Sequence, residues 1–247
     1  MDLEIIVSRY AEGLAAVDKL PIEPRTNKKT GEQYLPGIKT MLEPDLVLQI
    51  DTWWTSTYPN EFNPKGSNEV GVLYPDSTKN RCDHVFTTDG LTENAEWAIE
   101  FKLLHLIGDN GKRNDFAPAK ALSPFLKDRS LYHDVERLRT SSLARRRAVI
   151  AACFSYSPES CTQAMTLHPQ HSNRISEILK TCKDNGGRLS VRPLAEFADG
   201  ILRVRQLVKG SYTAKRFEAW RHPCAGHGAV FGWEVTTDQI QEEKSDW

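Results

Sequence analysis

Three charged residues stand where chemistry could be done: Asp83 in the run Arg81-Cys82-Asp83-His84-Val85-Phe86, and Glu100 and Lys102 in Trp97-Ala98-Ile99-Glu100-Phe101-Lys102-Leu103. Side chains of a strand alternate between faces, so Glu100 and Lys102 share one face while Trp97, Ile99, Phe101 and Leu103 point to the other. If the two runs pair through Thr88-Asp89-Gly90, Asp83 approaches Glu100, and two carboxylates and an ammonium surround one small space. Hard divalent cations are held by one or two carboxylates together with waters and substrate phosphates, so the arrangement suits magnesium-dependent cleavage of a phosphodiester. The competing reading of Glu-x-Lys is a solvated surface pair, worth about 0–1 kcal/mol. The flanking Ala98, Leu103, Leu104, Leu106 and Ile107 weigh against it, because they predict a central strand buried on both faces, where an unused charge is expensive.

At these residues the chain resembles the PD-(D/E)XK nuclease superfamily, whose minimal signature is an acid at a strand start followed by Glu-x-Lys on the next strand. Glu100-Phe101-Lys102 matches the second element without substitution. Asp83 stands where the first acid belongs, with Cys82 in place of the proline. The literal Pro75-Asp76 is followed by Ser-Thr-Lys-Asn and reads as a turn. The resemblance covers 42–156 and implies an α/β fold: a restriction-endonuclease-like αβββαβ core, with a mixed central sheet flanked by helices. It implies catalytic roles for Asp83, Glu100 and Lys102. It also implies Mg2+, with Mn2+ as substitute, on Asp83, Glu100 and the Phe101 backbone carbonyl, and a further acid on the preceding helix, for which Glu43 is the match. Lys102 would orient the attacking water or stabilise the developing charge. The activity implied is a DNA endonuclease of restriction or phage-defence type. Cutting both strands with one site per chain calls for a homodimer. The alternative is a module that keeps the fold without catalysis and binds nucleic acid or a protein partner.

The elements that must position these residues are legible as patterns. Asp2 can cap a helix carried by Leu3, Ile6, Tyr10, Leu14 and Val17 and stopped by Pro21. A second helix is predicted from Leu42 to Thr57, with Pro44 in its first turn and Leu46, Ile50, Trp53 and Trp54 on its apolar side. Gly71-Val72-Leu73-Tyr74 supplies an edge strand. Gly108 to Asp115 reads as a loop over the substrate. A helix through Leu131, Val135 and Leu138, extending to Leu143, precedes a buried strand from Arg147 to Phe154. Further helices are predicted at Ser172–Asp184 and Pro193–Val208, then strands at Lys215–Trp220 and Ala229–Val235. Together these make an N-terminal helix, the core, and a C-terminal α/β extension over 157–247.

The 247 residues are 39% hydrophobic and 26% charged, with no low-complexity linker, and are read as a single domain over 1–247. Five cysteines without close pairing predict a reducing, cytoplasmic setting. Nothing resembles a signal peptide, and no apolar run reaches the roughly 20 residues that span a bilayer, so a membrane partner is not expected. The formal net charge is only -1, but basic residues crowd between Lys102 and Arg147. Lys112, Arg113, Lys120 and Arg145 are the candidate contacts to a DNA backbone. His222, Cys224 and His227 have ligand chemistry for zinc but lack a fourth partner at suitable spacing, so a tight glycine-rich turn is the expected role. His84 should face away from Asp83, where core or surface filling is the expected role rather than catalysis.

Overall fold

The computed structural model describes residues 1–28, 30–62, 69–87, 95–104, 130–167 and 190–237, with isolated positions between 169 and 180. Lys112, Arg113 and Lys120, the 108–115 loop, the turn at 88–90 and most of the helix expected over 172–184 lie outside the described residues.

The two signature runs become strands β2 (Arg81–Phe86) and β3 (Trp97–Leu104). They pair antiparallel, with His84 opposite Ile99, Val85 opposite Ala98 and Phe86 opposite Trp97. Continuing that register by one residue sets Asp83 across from Glu100. Strand β1 (Glu69–Leu73) pairs antiparallel with the outer side of β2. Beyond β3, strand β4 (Arg146–Phe154) runs parallel to it, with Glu100 beside Val149 and Lys102 beside Ala151. A parallel pair needs a long crossover, and helix α3 (Leu131–Thr140) lies within it. The last strands, β5 (Val208–Ala219) and β6 (Gly226–Val235), add antiparallel to β4, giving one mixed sheet in the order β1-β2-β3-β4-β6-β5. The C-terminal third therefore extends the sheet.

Helices α1 (Leu3–Asp18) and α2 (Glu43–Thr57) cover the face opposite Glu100. Tyr10 of α1 stacks on Phe101 with ring centroids 5.5 Å apart, and Trp54 of α2 packs edge-on to Phe86 at 5.7 Å. Gly232 is needed here, since a Cβ at that position would overlap Val7 of α1. His84 is fully buried on this side, bonded to the Tyr10 hydroxyl at 3.1 Å and 3.1 Å from Asp51 Oδ1. It faces away from Asp83, as its alternation predicts, and fills the core. The far side of the sheet is covered by α3, whose Leu131, Asp134, Val135 and Leu138 face inward.

Several boundaries differ from the sequence pattern. Asp2 occupies the N-cap of α1, but its side chain makes no capping bond; its Oδ1 lies 3.7 Å from Arg146 instead. Helix α3 stops at Thr140, so Leu143 packs from the following loop. An unforeseen helix, α4 (Pro158–Leu167), follows β4. Helix α5 (Arg192–Val204) ends four residues before Val208, which opens β5. Gln206 makes the exit with a left-handed φ of 56°, a conformation usually left to glycine. Trp220 falls just beyond β5 and is not part of the strand.

Candidate active site

Strand β3 is the most enclosed of the first three strands: Trp97, Ala98, Ile99 and Phe101 are fully buried and Glu100 is 3% exposed. Burying a carboxylate disfavours its charged form unless partners compensate, so its neighbours define the site. Tyr74, just after β1, donates its hydroxyl to Glu100 Oε1 at 2.5 Å. Arg137 on α3 donates to the same oxygen at 3.2 Å and, through its other terminal nitrogen, to Asp134 Oδ1 at 3.1 Å. Lys102 Nζ lies 3.1 Å from Asp134 Oδ2 and donates to Glu43 Oε2 at 3.4 Å. Glu43, at the first turn of α2, also accepts the Leu103 N–H at 2.9 Å. Asp83 Oδ2 accepts the Phe101 N–H at 2.7 Å and lies within hydrogen-bond reach of Glu100.

The fold thus brings together Asp83, Glu100, Lys102 and Glu43. To these it adds Asp134, Arg137 and Tyr74, which spacing did not single out. Asp134 did leave a trace: it occupies an inward position of the stripe Leu131, Asp134, Val135, Leu138, where an acid needs a reason. Tyr74 and Arg137 are joined to Glu100 only through the tertiary fold. Arg145 is exposed beside the start of β4. Measured along the strands it sits six residues from the position of β4 level with Lys102, roughly 20 Å, so it is no part of this cluster. Asp76 is exposed in the turn after β1, closed by Ser77 N–H to the Tyr74 carbonyl at 3.0 Å.

Four carboxylates meet two cations here, and the imbalance governs their proton affinities. Burial pushes Glu100 well above the usual carboxylate range, and the charges of Asp83 and Asp134 push the same way. Burial likewise raises Asp83 against the opposing Phe101 N–H, and raises Glu43 against Lys102 and the Leu103 N–H. Burial alone would lower the pKa of Lys102, but Glu43 and Asp134 outweigh it and keep the ammonium firmly protonated. Burial also raises the Tyr74 phenol far above its ordinary value, so it stays a donor.

Among the described residues no three His, Cys, Asp or Glu side chains form a metal-binding group. Magnesium does not require one, because one or two carboxylates suffice when water and substrate phosphate complete the octahedron. Asp83 and Glu100 fit that need in donor type, and the surplus negative charge around them is of the sign a divalent cation would offset. The zinc candidates stay apart: His222 and Cys224 are buried in one turn, where His222 Nδ1 accepts the Cys224 N–H at 2.9 Å, while His227 is turned outward against Trp220. Cys153 is a core residue whose thiol burial pushes far up. No helix among the described residues is long and apolar enough to cross a membrane. The chain matches no protein-family model and no curated protein.

Proposed function

We propose that this protein is a metal-dependent endonuclease with a restriction-endonuclease-like core, acting on DNA in restriction or phage defence. The observation that carries the reading is the meeting of Asp83, Glu100 and Lys102 on one face of β2 and β3, with Glu43 of α2 bonded at the end of the same strand. The succession α2, β1, β2, β3, α3, β4, with β4 parallel to β3, supports the same assignment.

Magnesium held by Asp83, Glu100 and the neighbouring main chain would polarise the scissile phosphate and lower the pKa of a bound water. Lys102, fixed between Glu43 and Asp134, is placed to orient that water and to stabilise charge on the phosphorane. Arg137 and Tyr74 act through Glu100, holding one oxygen and leaving the other for the cation. Because the acids have raised proton affinities, protons compete with the cation, and metal-supported activity should rise with pH as Glu100 and Asp83 ionise.

The rival is a non-catalytic module holding nucleic acid or a protein partner. What favours it is that Glu100 is 3% exposed and already engaged by both Tyr74 and Arg137. Incubation of plasmid with magnesium, and separately with EDTA, decides between them. Cleavage that needs magnesium and is lost in Glu100→Ala and Lys102→Ala is expected. DNA binding without cleavage in magnesium or manganese would establish the rival.

A further inference from the structure

A cavity of about 1210 Å3 lies away from the carboxylates, along β5 at the edge of the sheet. Trp220 lines it and is 59% exposed, an unusual place for so large an aromatic. The ring is not loose. Its Nε1 donates to Glu218 at 3.2 Å, and His227 meets it edge-on at 4.8 Å. Beneath it is Gly226, with φ 144°, where an added Cβ would come within 2.7 Å of the indole. One face of the ring is therefore braced while the ring as a whole remains open to solvent.

Arg216 and Arg221 line the same cavity, together with the acids Glu12, Asp18 and Glu218 and with Lys215, which alternation turns to the opposite face of β5. Among the described residues neither arginine side chain makes a hydrogen bond or ion pair. Registers relate this cavity to the carboxylates. Leu104, Cys153, Ala229 and Arg216 form one row across β3, β4, β6 and β5, on the face that carries Glu100 and Lys102. Arg216 thus shares a face and an end of the sheet with Lys102, at a lateral separation of roughly 14 Å.

A flat aromatic held rigid among unpaired cations matches a nucleic-acid strand, whose bases offer π-faces and whose phosphates need positive charge. We propose that this groove is a second contact for the substrate: one unpaired base stacks on Trp220, and the adjoining phosphates meet Arg216 and Arg221. The proposal rests on nucleic acid being the ligand of the carboxylate site. It adds that the strand is read here in single-stranded or locally opened form.

The test is binding of a fluorescent single-stranded DNA of roughly 12 nucleotides, followed by anisotropy in EDTA so that no cleavage intervenes. Trp220→Ala should weaken binding about tenfold or more, and Trp220→Phe should restore most of it. Arg216→Ala with Arg221→Ala should flatten the slope of log affinity against log salt by roughly 1.4. Wild-type affinity in both Trp220→Ala and the arginine double variant would overturn the proposal. So would equally tight, Trp220-dependent binding of a nucleoside monophosphate or of polyaspartate. Plasmid cleavage is scored separately: Trp220-dependent binding by a protein that never cleaves would remove the nuclease reading alone, and cleavage with binding unmoved by these variants would remove the groove alone.

Discussion

Strands β3 and β5 belong to one sheet and both carry exposed-type residues, yet they treat charge in opposite ways. On β3, Glu100 is 3% exposed and Lys102 is enclosed between two acids. On β5, Lys215 and Arg216 stand exposed on an edge. The difference follows from position. A central strand can hold charge only within a closed set of partners, so each member becomes hard to remove and its proton affinity moves. An edge strand leaves its charges hydrated and cheap to alter, acting on their surroundings only through a screened field.

The sharpest way to break this contrast is at the first acid. Asp83→Asn should lower magnesium-supported plasmid cleavage by roughly 10²–10³-fold, on the order of 3–4 kcal/mol of transition-state stabilisation. Asp76→Asn, exposed in its turn, should leave the rate near wild type. Cleavage kinetics giving the reverse order would move the signature strand.

Next in size is Arg137→Ala, which leaves Glu100 and Asp134 short of a cation. We expect about 2–3 kcal/mol of lost stability in urea denaturation at neutral pH. The deficit should shrink as acid protonates Glu100. A pH-independent deficit would mean that Arg137 acts by packing alone.

Glu100→Gln sharpens the same point with a smaller effect. The folded-state pKa of Glu100 is raised, so its contribution to stability is greatest below the unfolded carboxylate value and declines as pH rises through the folded one. Relative to wild type, the variant should therefore gain stability with rising pH, on the order of 1 kcal/mol, while losing cleavage. Thermal melts across pH that stay parallel would refute this.

The smallest effect should be at an exposed pair. Arg192 and Glu196 on α5 meet at 2.8 Å with side chains 77% and 51% exposed, and Arg192→Ala should leave the urea midpoint close to that of the wild type. A clear loss would erase the distinction between enclosed and hydrated charge.

How much of this could be read from residue order depends on range. The β2–β3 pairing was legible because alternation in two nearby strands leaves one register that buries both apolar sets. Glu43 was legible through the resemblance, which expects an acid on the helix before the sheet, and Pro44 with the apolar stripe marked that helix. Asp134, Arg137 and Tyr74 were not, since each reaches Glu100 across tens of residues of chain. At the other end, Leu207 and Val208 continue the apolar pattern of α5, and no glycine marks where Gln206 turns the chain, so the start of β5 was absorbed into a helix. Trp220 was assigned to the end of a strand, although the cavity it lines forms only when β5 lies beside β6.

The parallel pairing of β3 with β4 also sets a timetable for synthesis. Glu43, Asp83 and Glu100 leave the ribosome well before Asp134 and Arg137, and β3 lacks its inner neighbour until residue 154 has been made. Until then three acids share one cation, Lys102, and β3 has an open edge, so the cluster cannot close on a partial chain. A nascent or truncated polypeptide would therefore lack the closed cluster, which forms only once β4 has joined the sheet.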